Sequence, residues 1–395
     1  MPSRRRFLET AAVAGSAGLA GCSSLPFVGG GGGGTVELRD AYPGAASPDA
    51  GWPGARRDSA NTACVPDAAT LSEPSVEWRS PPVPIQNAVF ARRLTVAGAS
   101  VLTGGQSLVA YDVVSGDRLW TQEAAFPARN AVPVADDVAW TPAPDGDPGV
   151  VGVDVASGDV TSRVTLPARP QIPPVNGSGE YGTTAVVPAA PGLVGFDPET
   201  GETAWTRRVF GHVRWSPAVL PELIAATTTT GELYAYSRHG TPTWRVNPDA
   251  GVRTQPVVGS RRVYATTAGS VTAFNNADGS RDWRASDVPG VTSRTLALGG
   301  KRLFGAYDRL WALSTATGER AWERPLPSSA TGLAVGGDNV YVAAGTQLLA
   351  FSRDGSERWT LDLGGEVGAT VAVTETRLYT FVTDDQDRPR IVALA

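Results

Sequence analysis

Histidine and cysteine, the side chains that most often bind metals or attack substrates, are scarce in this sequence. Its 395 residues include two histidines, His212 and His239, and two cysteines, Cys22 and Cys64. A zinc site needs about four nitrogen, sulfur or oxygen ligands, and the histidines stand 27 residues apart with no acidic motif beside them. No Gly-x-Ser-x-Gly elbow presents a nucleophilic serine. The sequence therefore predicts neither a metal site nor catalytic residues.

A second set of residues could bind an anion. Arginines recur at equivalent places in five successive stretches, joined by one tryptophan and one glutamine: Arg129, Arg169, Arg214, Trp215, Arg253, Gln255 and Arg294. Guanidinium groups that face one space concentrate positive potential, so this set could attract an anionic ligand or an acidic partner. The alternative is that these are solvated polar positions, and a register error of one residue would exchange the two faces of each strand.

A repeated phrase identifies the elements that carry these residues. "YDVVSGDRLW" at 111–120 returns as "FDPETGETAW" at 196–205 and "LSTATGERAW" at 313–322. A glycine precedes a tryptophan by four residues in each, and the tryptophans follow one another at 37 to 42 residues, with one double spacing of 85. That is the period of a propeller blade. The tryptophans are Trp78, Trp120, Trp205, Trp244, Trp283, Trp322 and Trp359.

Each unit reads as four short strands separated by glycine, aspartate or asparagine. The last unit ends in "RIVALA" at 390–395 without a fourth strand, whereas "SVEWRS" at 75–80 is a fourth strand with no blade before it. Pairing the two predicts an all-β fold, an eight-bladed β-propeller over residues 75–395 that is closed by the C-terminal strand and an N-terminal strand. The tryptophans should cover the seams between blades. The seam at Ser162, which replaces a tryptophan, should be the weakest.

The N-terminus predicts export and lipidation. "SRRRFLETAAVAGSAGLAGC" has a basic start, an apolar stretch and a small-residue cleavage site. Its start resembles a twin-arginine export signal, with Arg4, Arg5, Phe7 and Leu8 as the motif, and "LAGC" resembles a lipobox that ends at Cys22. We therefore expect a signal peptide at 1–22, a flexible glycine-rich tether at 23–50 and a lead-in segment at 51–74. The mature chain would be anchored to the outer face of the cytoplasmic membrane.

The repeat "AxDxxTGxxxW" resembles the tryptophan-docking repeat of the pyrroloquinoline-quinone-like (PQQ) propeller superfamily over roughly residues 70 to 395. "WPGARRDSANT" at 52–62 is similar to the segment ahead of the first blade in exported, lipid-anchored PQQ-repeat proteins of haloarchaea. The superfamily also contains quinoprotein dehydrogenases and the propeller lipoprotein of the outer-membrane assembly machine. The resemblance implies the scaffold, and these members differ in their sites.

Resemblance to the dehydrogenases would imply a vicinal cysteine pair, a calcium site and an aspartate base. The sequence lacks the cysteine pair, and its recurrent aspartates (Asp112, Asp154, Asp197 and Asp278) stand in repeated turns. We therefore expect no enzyme activity and no cofactor, neither PQQ nor calcium. A formal charge of −5 gives no basic footprint for nucleic acid.

The sequence thus favours a monomeric, lipid-anchored propeller that binds or scaffolds a protein partner at the membrane surface. The alternatives are a PQQ-dependent oxidoreductase and a surface sensor or binder of a carbohydrate or an anionic ligand.

Overall fold

A computed structural model describes residues 52–395, apart from residues 55, 85–92, 105–106, 124–130, 145–146, 171, 178–183, 214, 249–250, 253, 268 and 289–294. The export motif at Arg4, Arg5, Phe7 and Leu8, the cysteine Cys22 and the tether at 23–50 lie outside the described residues.

Eight blades, each of four antiparallel strands, form a propeller in the described part of the chain, and one of the eight sheets has a fifth strand from outside the blades. A short strand, β1 (Cys64–Val65), precedes the blades, and β2 (Val76–Arg79) belongs to the last one. Blade 1 contains β3 (Thr95–Ala97), β4 (Ser100–Gly104), β5 (Leu108–Asp112) and β6 (Arg118–Gln122). Blade 2 contains β7 (Val134–Ala135), β8 (Val138–Pro142), β9 (Gly149–Asp154) and β10 (Val160–Thr165).

The middle blades repeat this order. Blade 3 contains β11 (Val175–Gly177), β12 (Thr184–Ala189), β13 (Gly192–Phe196) and β14 (Thr203–Arg208). Blade 4 contains β15 (Ala218–Val219), β16 (Ile224–Thr227), β17 (Leu233–Tyr236) and β18 (Pro242–Val246). Blade 5 contains β19 (Val257–Val258), β20 (Arg262–Thr267), β21 (Ser270–Asn275) and β22 (Arg281–Ser286).

The last three blades complete the ring. Blade 6 contains β23 (Leu296–Gly299), β24 (Arg302–Ala306), β25 (Arg309–Ser314) and β26 (Arg320–Pro325). Blade 7 contains β27 (Ala330–Gly336), β28 (Asn339–Ala344), β29 (Gln347–Ser352) and β30 (Glu357–Asp362). Blade 8 contains β31 (Glu366–Val373), β32 (Leu378–Thr383), β33 (Pro389–Leu394) and β2.

The strands alternate in direction, so the propeller has two different faces. Turns between first and second strands and between third and fourth strands lie on one side, which we call the hairpin face. Turns between second and third strands, and the links from blade to blade, lie on the other side, which we call the connection face. The second and third strands are packed between neighbouring blades and are almost wholly buried, which explains their continuous apolar sequence.

Each tryptophan of an outer strand crosses a seam to the next blade. Its indole N–H donates to a backbone carbonyl of that blade. At the seam between blades 7 and 8, which we call the closing seam, the acceptor is instead a backbone carbonyl of the lead-in segment. The pairs are Trp78 with Val113, Trp120 with Val155, Trp205 with Arg238, Trp244 with Asn276, Trp283 with Thr315, Trp322 with Arg353 and Trp359 with Leu71.

The ring of each tryptophan covers a turn glycine wherever the next blade has the repeated turn. Gly279 has a φ of 72°, and a Cβ added to it would lie 2.7 Å from Cε3 of Trp244. A side chain is therefore excluded both by backbone conformation and by the indole. This double constraint explains why the glycine and the tryptophan recur together in the sequence.

Blade 2 carries its large aromatic on a different strand. Elsewhere the tryptophan pairs with alanine or glycine on the third strand, which pairs in turn with a second-strand residue, as in the row Trp283, Ala273, Tyr264. The corresponding row in blade 2 is Ser162, Gly152 and Trp140. The outer strand of blade 2 thus carries the small Ser162, and its large aromatic, Trp140, lies on the second strand.

Trp140 fills the seam at which the outer tryptophan is missing. It is 3% exposed and packs edge-on against Phe196 of blade 3, with ring centroids 5.9 Å apart. The sequence predicts the weakest seam here from the outer strand alone. The packing of Trp140 gives the opposite expectation, a seam of ordinary strength.

Both ends of the described chain meet in blade 8. β2 pairs antiparallel with β33, so that Val76 lies opposite Leu394 and Arg79 opposite Val392. The Ser75 N–H donates to the Ala395 carbonyl at 2.9 Å. The predicted eight-bladed ring, closed by a C-terminal and an N-terminal strand, is confirmed.

Deleting residues 390–395 should abolish cooperative unfolding or cause aggregation. The deletion removes most of β33, which leaves β2 unpaired and exposes ladder groups that can pair with other chains. Thermal unfolding followed by circular dichroism, with light scattering, tests this. Deleting the glycines at 29–34 is the control and should leave the melting temperature nearly unchanged. A truncated protein that melts like the full chain would contradict the closure.

Trp140→Ala should destabilise the fold as strongly as Trp283→Ala, although the two residues lie on different strands. Each substitution empties an aromatic site at a seam and should lower the free energy of unfolding by about 3 to 5 kcal/mol. Ser162→Ala, in the same row as Trp140, should change it by less than about 0.5 kcal/mol. Guanidinium denaturation measures all three. A Trp140→Ala cost well below that of Trp283→Ala would show that blade 2 does have a weaker seam.

Candidate functional site

The sequence-predicted set of arginines with Trp215 and Gln255, which we call the channel mouth, has three described members, and these lie just before inner strands on the connection face. Arg169 is exposed, Trp215 is half-buried and Gln255 is buried, and no hydrogen bond or ion pair joins these three. The Nε2 atom of Gln255 is buried without a hydrogen-bond partner. Arg129, Arg214, Arg253 and Arg294 lie outside the described residues. The described members of this set therefore do not form a common site by direct contact.

The two histidines lie on opposite faces. His212 is exposed in the link between blades 3 and 4, on the connection face. His239 is exposed in the last turn of blade 4, on the hairpin face, where its Nε2 accepts from Arg238 at 3.0 Å. They cannot share a ligand. Among the described residues, no group of three or more histidine, cysteine, aspartate or glutamate side chains is placed to hold a metal ion.

The centre of the ring holds a segment whose position the sequence did not predict. Residues 52–70, which we call the channel segment, lie along the inner strands on the side of the hairpin face. Trp52 bridges Val96 of blade 1 antiparallel, and β1 pairs with β27 of blade 7 parallel. Since all inner strands run toward the hairpin face, the chain leaves that face at Trp52 and returns to it at β1.

The channel segment satisfies inner-strand donors in successive blades. Carbonyl groups of seven of its residues accept backbone N–H groups from blades 1, 2, 4, 5, 6 and 7. The pairs are Trp52 with Val96, Pro53 with Val134, Ser59 with Val219, Ala60 with Val258, Thr62 with Leu298, Ala63 with Val335 and Val65 with Gly337, at 2.8 to 3.0 Å. Blade 8 is reached by the Ala69 N–H, which donates to Glu375. These bonds cover sheet edges that would otherwise face the channel unpaired.

Left-handed backbone conformations allow this arrangement. Successive carbonyls of an extended chain point in opposite directions, whereas here neighbouring carbonyls both point outward to different blades. Arg57, Asn61 and Ala63 have φ values of 70°, 61° and 52°. Such conformations are uncommon outside glycine and asparagine, so the residue types at these positions do not predict them.

Two buried side chains hold the segment in this shape. Asn61, 2% exposed, donates from Nδ2 to the Pro256 carbonyl at 3.0 Å and to the Ser216 carbonyl at 3.4 Å. Asp58 accepts from the Thr62 N–H at 2.8 Å and from the Thr62 hydroxyl. Burial raises the pKa of Asp58, while Arg57 and the bonds from Thr62 oppose that shift.

Burial also acts on the basic residues of the channel segment. Arg56 is 5% exposed, and its pKa is lowered to about 9 because burial penalises the charged guanidinium. Arg57 lies between two spaces. One is a narrow recess shared with Pro133, Pro174 and Ser216. The other is a larger cleft on the hairpin face.

An aromatic residue missed by the sequence analysis stands out on the connection face. Phe210 is 66% exposed, yet its backbone is fixed on both sides. Its N–H donates to the Tyr234 hydroxyl at 3.0 Å, and its carbonyl accepts from Thr230 at 3.0 Å. Tyr234 donates to buried Glu232 at 2.8 Å, and Glu232 pairs with Arg245. An exposed ring on a rigid support is a favourable contact for a protein partner.

The family of the chain follows from its sequence match. Two overlapping segments, residues 189–333 and 308–395, match the family model described as outer membrane protein assembly factor BamB. Together they span more than half of the chain. The chain belongs to this family. The predicted PQQ-like repeat propeller is thereby confirmed, and no curated protein matches the sequence.

Solved structures share the fold of this BamB-family chain at low sequence identity. BamB from Moraxella catarrhalis is 17% identical, with a TM-score of 0.61, 81% of this chain and 97% of that chain covered. The computationally designed Ika8 protein is 13% identical, with a TM-score of 0.66 and coverages of 80% and 99%. The quinohemoprotein alcohol dehydrogenase ADHIIG from Pseudomonas putida HK5 is 11% identical, with a TM-score of 0.65 and coverages of 87% and 80%.

Asn61→Ala should destabilise the propeller although it changes no blade. The substitution leaves the buried carbonyls of Ser216 and Pro256 without this donor, so we expect a loss of about 1 to 3 kcal/mol in the free energy of unfolding. Asn247→Ala, at an exposed asparagine, is the matched control and should cost less than about 0.5 kcal/mol. Denaturant unfolding measures both. Equal stabilities of the two variants would show that the channel segment does not support the ring.

Proposed function

We propose that the chain is a non-catalytic propeller that binds or scaffolds a protein partner, exported and held at the outer face of the cytoplasmic membrane by a lipid on Cys22. The observation that carries the binding role is the exposed Phe210 on its rigid support. The match to the family described as an assembly factor agrees with a binding role.

The charges around Phe210 favour an acidic partner surface. Arg208 and His212 flank it and are exposed, and Arg245 lies with its guanidinium carbon 5.2 Å from the centre of the Tyr234 ring. Glu232, the acid in this group, is 3% exposed and already paired with Arg245. A partner with an apolar pocket and a carboxylate rim would therefore complement this part of the connection face.

The channel segment supports a division of roles between the two faces. Its backbone occupies the hairpin side of the channel and pairs with edge groups of the inner strands. Those edge groups therefore stabilise the ring. In addition to Phe210, the connection face carries Tyr307, which is 43% exposed. These two exposed aromatic residues support a partner surface on the connection face.

The alternative function is that of a PQQ-dependent oxidoreductase. The dehydrogenase of similar structure supports this alternative only through the shared fold. Incubation of the full chain with PQQ and calcium, followed by absorbance and dye-linked alcohol oxidation, separates the two. Quinone retention with activity would replace the binding proposal.

A photo-crosslinking amino acid at position 210 should capture a partner in intact membranes, whereas the same amino acid at position 114 should not. Phe210 and Val114 are similarly exposed, at 66% and 61%, but Val114 lies on the hairpin face. They therefore form a matched pair. Discrete adducts at 210 alone support a partner on the connection face. Adducts at 114 alone, or equally at both positions, would refute that placement.

Cys22→Ser should release the protein from the membrane fraction while leaving its melting temperature unchanged. A lipid on Cys22 would be the anchor, and no helix in the described part of the chain is long and apolar enough to cross a membrane. Mass spectrometry of the mature N-terminus should show an acylated cysteine. An unmodified Cys22 in membrane-bound protein would contradict lipidation without affecting the binding proposal.

A further inference from the structure

The hairpin face contains a cleft that has no role in the proposed function. It lies between the channel segment and the turns of blades 4 to 7, and has a volume of about 1580 Å³ including its open side. Its basic lining residues are Arg57, Arg261, Arg262 and Arg353, and its acidic ones are Asp58 and Asp67. The walls come from five parts of the chain, so the cleft exists only in the closed ring.

The charge of the cleft depends on which of these groups are already paired. The Asp58 side chain is 2% exposed and accepts two bonds from Thr62. Asp67 is exposed. Of the arginines, Arg262 is neutralised by Asp282 at 2.7 Å, whereas no ion pair joins exposed Arg261 to another described residue. The chain as a whole carries a charge of −5, so this concentration of arginine is local.

Arg57 lines the cleft and has one unsatisfied donor. Its side chain is 13% exposed and lies 3.5 Å from Asp58 through Nη1. Its Nε atom is buried without a hydrogen-bond partner among the described residues, and the backbone is left-handed, with φ of 70°. A buried donor without a partner is costly, and strained backbone of this kind concentrates at functional sites.

Arg353 is oriented by its own backbone contacts. Its Nε and Nη2 donate to the Gly337 carbonyl at 2.9 and 2.6 Å, which fixes the guanidinium plane. Its Nη1 points toward Gly300, whose added Cβ would lie 3.6 Å away. A fixed guanidinium with one free nitrogen is prepared to donate to an anion at low entropic cost.

Other turns of the same face repel anions. Blades 1, 2 and 3 present Asp112, Asp154 and Asp197 in their last turns, each accepting backbone N–H groups of its own turn. These bonds lower the pKa values of Asp112 and Asp154, so both stay charged. The last turns of blades 5, 6 and 7 also carry acids, Asp278, Glu319 and Asp354, but none of these three lines the cleft.

We propose that this cleft binds a small anion with at least two negative charges, of the polyphosphate or polycarboxylate class, through Arg57, Arg261 and Arg353. The site is separate from the channel mouth and from Phe210, and it does not depend on the proposed function. Its concave shape suits a small molecule, and three guanidinium groups on different elements suit several acidic groups on one ligand.

Calorimetric titration of the full chain with pyrophosphate, and separately with citrate, tests the proposal. We expect saturable binding of at least one of them that weakens as salt increases. Arg261→Ala should weaken that binding about tenfold, as expected for one lost charge-assisted hydrogen bond. Asp67→Asn should strengthen it, because a repelling carboxylate is removed.

Arg118→Ala is the matched control, since Arg118 is also an exposed arginine on the hairpin face but lies in blade 1. It should leave the affinity unchanged, and all three variants should keep the melting temperature of the parent. Absence of binding by both probes at millimolar concentration would overturn the proposal. Equal losses in Arg261→Ala and Arg118→Ala would also overturn it, because they would indicate unspecific charge attraction.

Discussion

The constraint on which this structure depends is that the inner strand of every blade has a free edge toward the channel. Unpaired N–H and C=O groups at a sheet edge invite pairing with other chains, and ring closure by itself does not remove these eight edges. The channel segment supplies acceptors for six of them. The centre of the propeller is therefore built from a stretch of chain that belongs to no blade.

The seams between blades obey a second constraint, in which each tryptophan requires the glycine of its neighbour. The indole needs a flat surface and a carbonyl, and a turn with positive φ supplies both. The closing seam has no such turn, because the chain is interrupted between β33 and β2. There Leu71 offers its carbonyl to Trp359 at 2.8 Å, so the residues that follow the channel segment also complete the outer rim. Glu77 of β2 adds a paired contact to Arg377 at 2.6 and 2.9 Å, which lowers the pKa of Glu77.

Most of the fold could be predicted from the sequence, because it is encoded by periodic local chemistry. The spacing of Gly279 and Trp283 repeats in six of the seven complete turns, and the incomplete units at Trp78 and Ile391 indicate the closure. The position of Trp140 in the row of Ser162 could not be predicted from the outer strand alone. It becomes visible only when residues are aligned across three strands, where Gly152 marks the row.

The candidate sites were less predictable for a physical reason. The position of residues 52–70 depends on left-handed backbone at Arg57 and Ala63, for which side-chain type gives no signal. Phe210 stands between Val209 and Gly211 in "RRVFGHVRW", and its exposure follows from the Tyr234 hydroxyl, 24 residues later, which fixes its backbone. Both features arise from contacts that join distant parts of the chain, and repeats alone do not encode them.

The channel segment couples stability and recognition because neighbouring residues of one short stretch carry the two roles. Its outward carbonyls bind the blades, and the left-handed turns that direct them also place Arg57 against the cleft. A different sequence at 54–58 could keep the carbonyl bonds of Pro53 and Ser59 and still present other side chains there. Within one propeller scaffold, the lead-in segment is thus a place where binding properties can change while the ring is preserved, which is consistent with a superfamily whose members share a fold and differ in function.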